Sequence, residues 1–298
     1  MRLFYEIVAH APLEALMRPI AFIALLCTLG ACRGRTHDVP DAFHWQAELP
    51  PGSTIHLRTS TGQIEVTPVE GSTANVVGSK HWRGRDPIHF SWVRNGNDVW
   101  VCAMMRPGGS CSHNYSGSQD NSSWLDMFSL FKHRATNLEA SLTVDLPRGV
   151  LVDAASTTGE LEIHGTRAGV TARTVSGAIS IDGAAGPIDA HSINGPVEVE
   201  LDSLGPDDAI NIKTVNGPVS AKIPPNTQGT VELATVNGSV ETDFPISASG
   251  EMSGRSLHGR IGNSTRSISL KTVNGSVELT KGSGPASAEP PVASGPRH

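Results

Sequence analysis

The 298-residue chain has no run of Lys or Arg, and its 23 basic residues stand against 29 acidic ones for a formal net charge of −6. Without a basic stripe there is no electrostatic footprint for nucleic acid or anionic lipid, so neither is expected as a partner. Catalytic signatures are missing too. The chain has no Gly-x-Ser-x-Gly elbow, His-Glu-x-x-His, P-loop or Gly-x-Gly-x-x-Gly after a strand, and its glycine corners lack the aspartates of a Gly-Gly-x-Gly-x-Asp calcium roll. The motifs therefore point to no enzyme, no cofactor and no metal. The longest apolar run, Ile20 to Leu29, is far short of the ~20 residues that a membrane span requires. Aromatics make up only 5% of the chain, and beyond residue 150 only Phe244 remains.

The short apolar run follows Arg18 and closes on Leu29-Gly30-Ala31-Cys32. Leucine, two small residues and then cysteine resemble the lipobox of bacterial lipoproteins. That resemblance implies export, acylation of Cys32 on sulfur (a palmitate-type anchor) and cleavage that leaves Cys32 as the first mature residue. Residues 1–31 are read as this signal peptide. Because Glu6, His10, Pro12 and Glu14 occupy a stretch that should be short and basic, translation is expected to start at Met17. Residues 32–42 are read as the lipidated cysteine and tether, of which 33–40 reach about 26 Å when extended. Arg33 lacks the aspartate associated with inner-membrane retention, so the periplasmic face of the outer membrane is the expected address in a Gram-negative cell. Cys27 leaves with the leader. Cys102 and Cys111 remain as an even pair in an oxidising compartment and are expected to form a disulfide, with a metal site involving His113 as the alternative.

What the chain has in abundance is a repeat. Thr-Val-Asn-Gly occurs at Thr214–Gly217, Thr235–Gly238 and Thr272–Gly275, with looser copies ending at Gly62, Gly159, Gly177, Gly195 and Gly259. From Gly159 onward these glycines are 18, 18, 22, 21, 21 and 16 residues apart. Each unit holds two alternating apolar/polar strands, a glycine corner between them and a Pro/Gly corner after them. Two strands and two corners in ~20 residues make one coil of a flattened β-solenoid, with the glycines as structural turns. An antiparallel β-meander sandwich is the alternative, because an Asn-Gly hairpin would set Thr214 opposite Val219 and Ile210 opposite Ile223. The β-repeat domain is placed at residues 43–281 and a disordered tail at 282–298.

Residues of about 70–138 interrupt the repeat and hold eight of the eleven aromatics found beyond residue 31. Asn95-Gly96 between Ile88–Trp92 and Val99–Val101 signals a hairpin, and a capping box at Ser123–Asp126 followed by Trp124, Phe128 and Phe131 at helical spacing signals a short helix. Trp82, Trp92, Trp100, Tyr115 and Trp124 are the candidate binding residues, as stacking platforms for sugars or anchors for a protein. The competing reading is that the insertion caps the open end of the solenoid. The acidic residues Asp182, Asp189, Glu198, Glu200, Asp202, Asp207 and Asp208 read as a solvated face. His164, His191 and His258 read as surface histidines, and Asn194, Asn216, Asn237 and Asn274 as a structural ladder.

Ser/Thr-x-Asn/Ser-Gly followed by alternating Val/Ile, repeated behind an export signal, resembles the bacterial putative-adhesin domains of unknown function over roughly residues 50 to 280. The resemblance implies a β-solenoid-like fold. The function expected is that of a non-catalytic, lipid-anchored envelope scaffold binding a protein or glycan near the membrane. A carbohydrate-active β-helix enzyme, or an accessory of envelope-stress signalling, is the alternative.

Overall fold

A computed structural model describes residues 36–86, 88–104, 111, 138–248 and 254–282. Its strands are β1 (Thr36–Glu48), β2 (Thr54–Thr61), β3 (Ile64–Val69), β4 (Thr73–Arg83), β5 (His89–Asn95), β6 (Asp98–Met104) and β7 (Glu139–Pro147). There follow β8 (Leu151–Thr158), β9 (Leu161–His164), β10 (Val170–Ser176), β11 (Ile179–Ala185), β12 (Ile188–His191), β13 (Val197–Ser203) and β14 (Ile210–Lys213). The last are β15 (Val219–Ile223), β16 (Gly229–Asn237), β17 (Val240–Thr242), β18 (Ser247–Ala248), β19 (Ser256–Ile261), β20 (Ser267–Asn274) and β21 (Val277–Lys281).

These strands form two long mixed sheets, and the two strands that flank a glycine corner always lie in different sheets. The first sheet runs β18-β19-β16-β20-β14-β12-β10-β8-β2-β6-β5, and the second runs β17-β21-β15-β13-β11-β9-β3-β7-β4-β1. Pairing within the stack is parallel and in register: Ile188 of β12 lies between Val170 and Ile210, and Val219 of β15 lies between Val197 and Val277. The fold is thus the solenoid. The meander is not realised, because Thr214 and Val219 face different sheets and each strand pairs with its counterpart one coil away.

The alternation seen in the sequence becomes the core. Ile55, Val152, Val170, Ile188, Ile210, Ile268 and Val231 form one aliphatic ladder, and Ile64, Leu161, Ile179, Val197, Val219 and Val277 form the facing one, all essentially sealed from water. Period-2 strands put one face inward, and stacking neighbours at ~4.8 Å makes that face continuous.

The coils do not stack in chain order. From one end the order is β6/β7, β2/β3, β8/β9, β10/β11, β12/β13, β14/β15, β20/β21 and β16/β17. The first and last coils of the chain are each tucked one position inside the stack. Outside them the pairing turns antiparallel: β5 on β6, β4 on β7 and β1 on β4 at one end, and β19 on β16 and β18 on β19 at the other. Strand β1 begins at Thr36, inside the stretch read as tether, because residues 36–39 pair with Arg83–Lys80 before a register break at Pro40–Asp41, where Asp41 takes φ 53°.

Close approach explains the glycines. Gly62, Gly159, Gly177, Gly195, Gly217, Gly275 and Gly238 stack in that spatial order, and a Cβ on any of the last six would sit 1.9–2.3 Å from the carbonyl oxygen of the glycine before it. The buried hydroxyl three residues earlier donates to the same carbonyl: Ser156 to Gly62, Thr174 to Gly159, Ser192 to Gly177, Thr214 to Gly195, Thr272 to Gly217 and Thr235 to Gly275, at 2.8–3.2 Å. Thr59 does the same to Ala140 at 2.8 Å. The asparagines are a structural ladder, with Asn216 donating to Asn194, Asn274 to Asn216 and Asn237 to Asn274 at 2.7–2.9 Å. Gly259 is the exception among the expected turns: it lies mid-strand in β19 opposite Val231.

Candidate functional site

Much of the described insertion is built into one end of the stack. β6 completes a coil against β2, while β4 and β5 extend the two sheets beyond it. The hairpin at Asn95-Gly96 forms as expected, with Asn95 pairing Asp98 around Gly96-Asn97. Across the end of the core, Phe43 of β1 stacks on Phe90 of β5 with ring centroids 5.3 Å apart, and Trp45 meets Trp92 at 6.0 Å. This aromatic plug is incomplete. Trp92 remains 50% exposed.

The candidate aromatics do not share a platform. Trp82 is buried in β4 with the Lys80 ammonium 5.2 Å from its ring centre. Trp100 is buried on the outer face of β6, its ring stacked on His56 at 4.3 Å and 6°. Tyr115, Trp124 and the expected helix lie outside the described residues. Cys102 and Cys111 form the expected disulfide, with Cα atoms 5.8 Å apart, and pack with Trp100 and Met104 on that outer face.

Beside Trp100 the first sheet carries a polar network that the sequence reading did not assemble. Parallel register lines up His56, Asp153, Thr171, Asp189 and Asn211 in one row across the sheet, six residues before each glycine corner. Arg58, Ala155, Arg173, His191, Lys213 and Lys271 line up in a second row, four residues before. His56 Nδ1 lies 2.6 Å from Asp153 Oδ2, an oxygen that also accepts from Arg58 Nη2, and Arg58 Nη1 donates to the Asp153 carbonyl at 2.6 Å. One coil further on, Arg173 Nη2 donates to Asp189 Oδ2 at 2.7 Å, and Asn211 and His191 reach Asp189 Oδ1 at 2.7 and 2.8 Å. Burial acts to raise both carboxyls. For Asp153 the His56 hydrogen bond and the Arg58 charge outweigh it and hold the group well below the usual carboxylate range. For Asp189, His191 and then Arg173 and Asn211 bring it to about 2.

Asp189 and His191 are therefore parts of a partly buried ion network and not simply a solvated face and a surface histidine. Aligning the coils on their glycines would have revealed it, because equal offsets become adjacent positions in a parallel sheet. Among the described residues no nucleophile is hydrogen-bonded to His56 or His191, and one buried oxygen, Asp153 Oδ1, has no hydrogen-bond partner. The other acidic residues do not converge. Glu198 and Glu200 lie on the second sheet, Asp202 at the end of β13, and Asp207 and Asp208 in the loop after it. His164 approaches Asp182 at 3.9 Å, and His258 sits in β19 opposite Glu232. Among the described residues no cluster of three metal-ligating side chains occurs.

A family model described as Toastrack DUF4097 matches residues 52–280. Two solved structures are similar to this chain. One is a putative cell adhesion protein from Clostridium sporogenes, at 11% identity and TM-score 0.46, covering 82% of this chain and 100% of that one. The other is a putative adhesin from Bacteroides fragilis, at 11% identity and TM-score 0.30, covering 80% and 96%. No curated protein matches the chain.

Proposed function

The chain belongs to the Toastrack DUF4097 family, and on that premise we propose that it is a lipid-anchored, non-catalytic scaffold of the bacterial envelope that presents its aromatic end to a protein or glycan near the membrane. The observation that carries this reading is the incomplete plug. A strand that only closed the core would bury its aromatics, whereas Trp92 of the sheet-terminal strand β5 is left half exposed. A half-exposed tryptophan beside a second aromatic is the usual anchor of a binding surface.

The lipobox supports the anchor. Only residues 33–35 separate Cys32 from β1, so a lipid on Cys32 would hold the first strand within about 13 Å of the membrane. In a Gram-negative cell, Arg33 as the residue after the cysteine supports placement on the periplasmic face of the outer membrane.

Two measurements test this. Metabolic labelling with a palmitate analogue should mark the wild-type protein and not Cys32→Ser. Crosslinking in intact cells should recover a discrete partner with wild type and lose it with Trp92→Ala, whose stability should stay within about 1 kcal/mol of wild type because the ring is half in water. Unchanged crosslinks in a stable Trp92→Ala protein would refute the surface.

A further inference from the structure

A second site lies at the other end of the stack. The loops that enter β14, β16 and β20 run side by side at the Pro/Gly corner and enclose a cleft of about 410 Å³. At its base is Arg266, only 9% exposed. Its Nη1 donates to the Gln228 carbonyl at 3.3 Å and its Nη2 to the Gly205 carbonyl, while Nε has no partner. Among the described residues Arg266 forms no ion pair. A buried guanidinium normally faces a carboxylate, since two carbonyl dipoles do not replace lost hydration and an orphaned donor adds to the cost. An anionic acceptor would match this side chain.

The rest of the cleft identifies what carries that anion. Ser203, Asn226, Gln228 and Ser264 offer hydroxyls and amides, and the side-chain Oε1 of Gln228 accepts from the Asn263 backbone N–H at 3.1 Å, leaving the side-chain NH2 to donate. Leu204, Pro206 and Pro224 give aliphatic faces. Hydroxyl edges against amides and C–H faces against aliphatic carbons are the complement of a pyranose ring. Asp202 at the rim accepts from hydroxyls and repels a dianion more than a monoanion. The volume is in the range of small-molecule sites.

We propose that this cleft binds a uronic-acid-type sugar, with Arg266 taking its carboxylate and the flanking loops its hydroxyls. The site goes beyond the Trp92 surface and stands without it, because the two are built from opposite ends of the stack.

The test uses the intact chain in detergent, with the Arg266 Nε–Hε resonance followed by NMR as D-glucuronate is added, and with D-glucose and inorganic phosphate as parallel probes. The expected result is a saturable shift with glucuronate, at least about tenfold weaker binding of glucose, and phosphate weaker than glucuronate. Asn226→Trp, an exposed position, should fill the mouth and abolish the shift without unfolding the protein, and so provides a test even if Arg266→Gln does not fold. No saturable shift with glucuronate, equal binding of glucose or phosphate, or wild-type binding by Asn226→Trp would each overturn the proposal.

Discussion

Gly195→Ala tests the central claim about the repeat, that its glycines are fixed by the coil before them. The new methyl would lie 2.0 Å from the Gly177 carbonyl oxygen and 2.6 Å from its carbon. Reaching ordinary contact requires the two corners to part by roughly 1.4 Å, a shift that a packed core resists. The bonds that cross this gap are Ser192 Oγ to Gly177 O at 3.1 Å and Gly177 N to Asn194 O at 3.0 Å. Losing two buried hydrogen bonds costs about 1 kcal/mol each, and overpacking strain adds about 1–2, for a total near 3–4 kcal/mol. At about 2–4 °C per kcal/mol for a domain of this size, the melting temperature should fall by roughly 6–15 °C. Gly254→Ala is the control, since its Cβ would meet nothing within 4 Å. Urea unfolding followed by circular dichroism measures both. A Gly195→Ala protein within about 1 kcal/mol of wild type would refute the stacking argument and leave turn conformation as the reason for glycine.

Three further outcomes follow from the same geometry. Truncation after Gly262 removes β20 and β21 and leaves the edges of β14/β15 and β16/β17 unpaired inside the stack, so the product should be insoluble or protease-sensitive throughout, whereas a chain-ordered solenoid would lose one end coil and keep the rest. Asp153 and Asp189 have folded pKa values below their ordinary ones, so their stabilisation is complete above about pH 4 and is lost as pH falls, for Asp189 between about 4 and 2; acid titration of Asp153→Asn should show a shallower loss than wild type, and an unchanged slope would contradict the ion network. Replacing Cys102 and Cys111 by serine should lower stability by about 2–3 kcal/mol, as read by urea unfolding without reductant, because the bridge closes only a short loop.

The coil was legible in the sequence because parallel in-register stacking demands the same residue type at the same place in every unit. Thr214, Thr235 and Thr272 share one hydrogen-bonding task, and so do Asn216, Asn237 and Asn274. Coil order was not legible, for the same reason. Ile210, Ile268 and Val231 are interchangeable as neighbours, so nothing local states that β20 enters between β14 and β16. Thr59 and Ser156 were missed because their copies of the motif keep only the hydroxyl three residues before the glycine and lose the asparagine. Gly259 was misplaced because Ser256–Gly259 imitates the motif while the chain runs on as an antiparallel strand. The polar network is not legible from residue type, because the position of His191 is held by Arg173 and Lys213 in the neighbouring coils and no one residue type repeats along the row.

The inward placement of the first and last coils goes together with antiparallel covers at both ends of the stack. An open parallel stack exposes a strand edge in each sheet, and here antiparallel strands cover those edges: β5 on β6 through a two-residue loop, β4 on β7, and β19 on β16. The end coils are β6/β7 and β16/β17, which carry these covers, and β2/β3 and β20/β21 take the slots next to them. The cost of this arrangement is an insertion step at the C-terminus, offset by bonds on both sides: Thr272 donates to Gly217 at 2.9 Å while Gly275 accepts from Thr235 at 2.8 Å, and Asn274 donates to Asn216 while accepting from Asn237. The Arg266 guanidinium sits at the entrance to that same slot, bonded to the loops of the coils on either side. Arg266 both bridges the loops around the inserted coil and lines the cleft, so occupancy of the cleft and closure of the stack act on a single side chain.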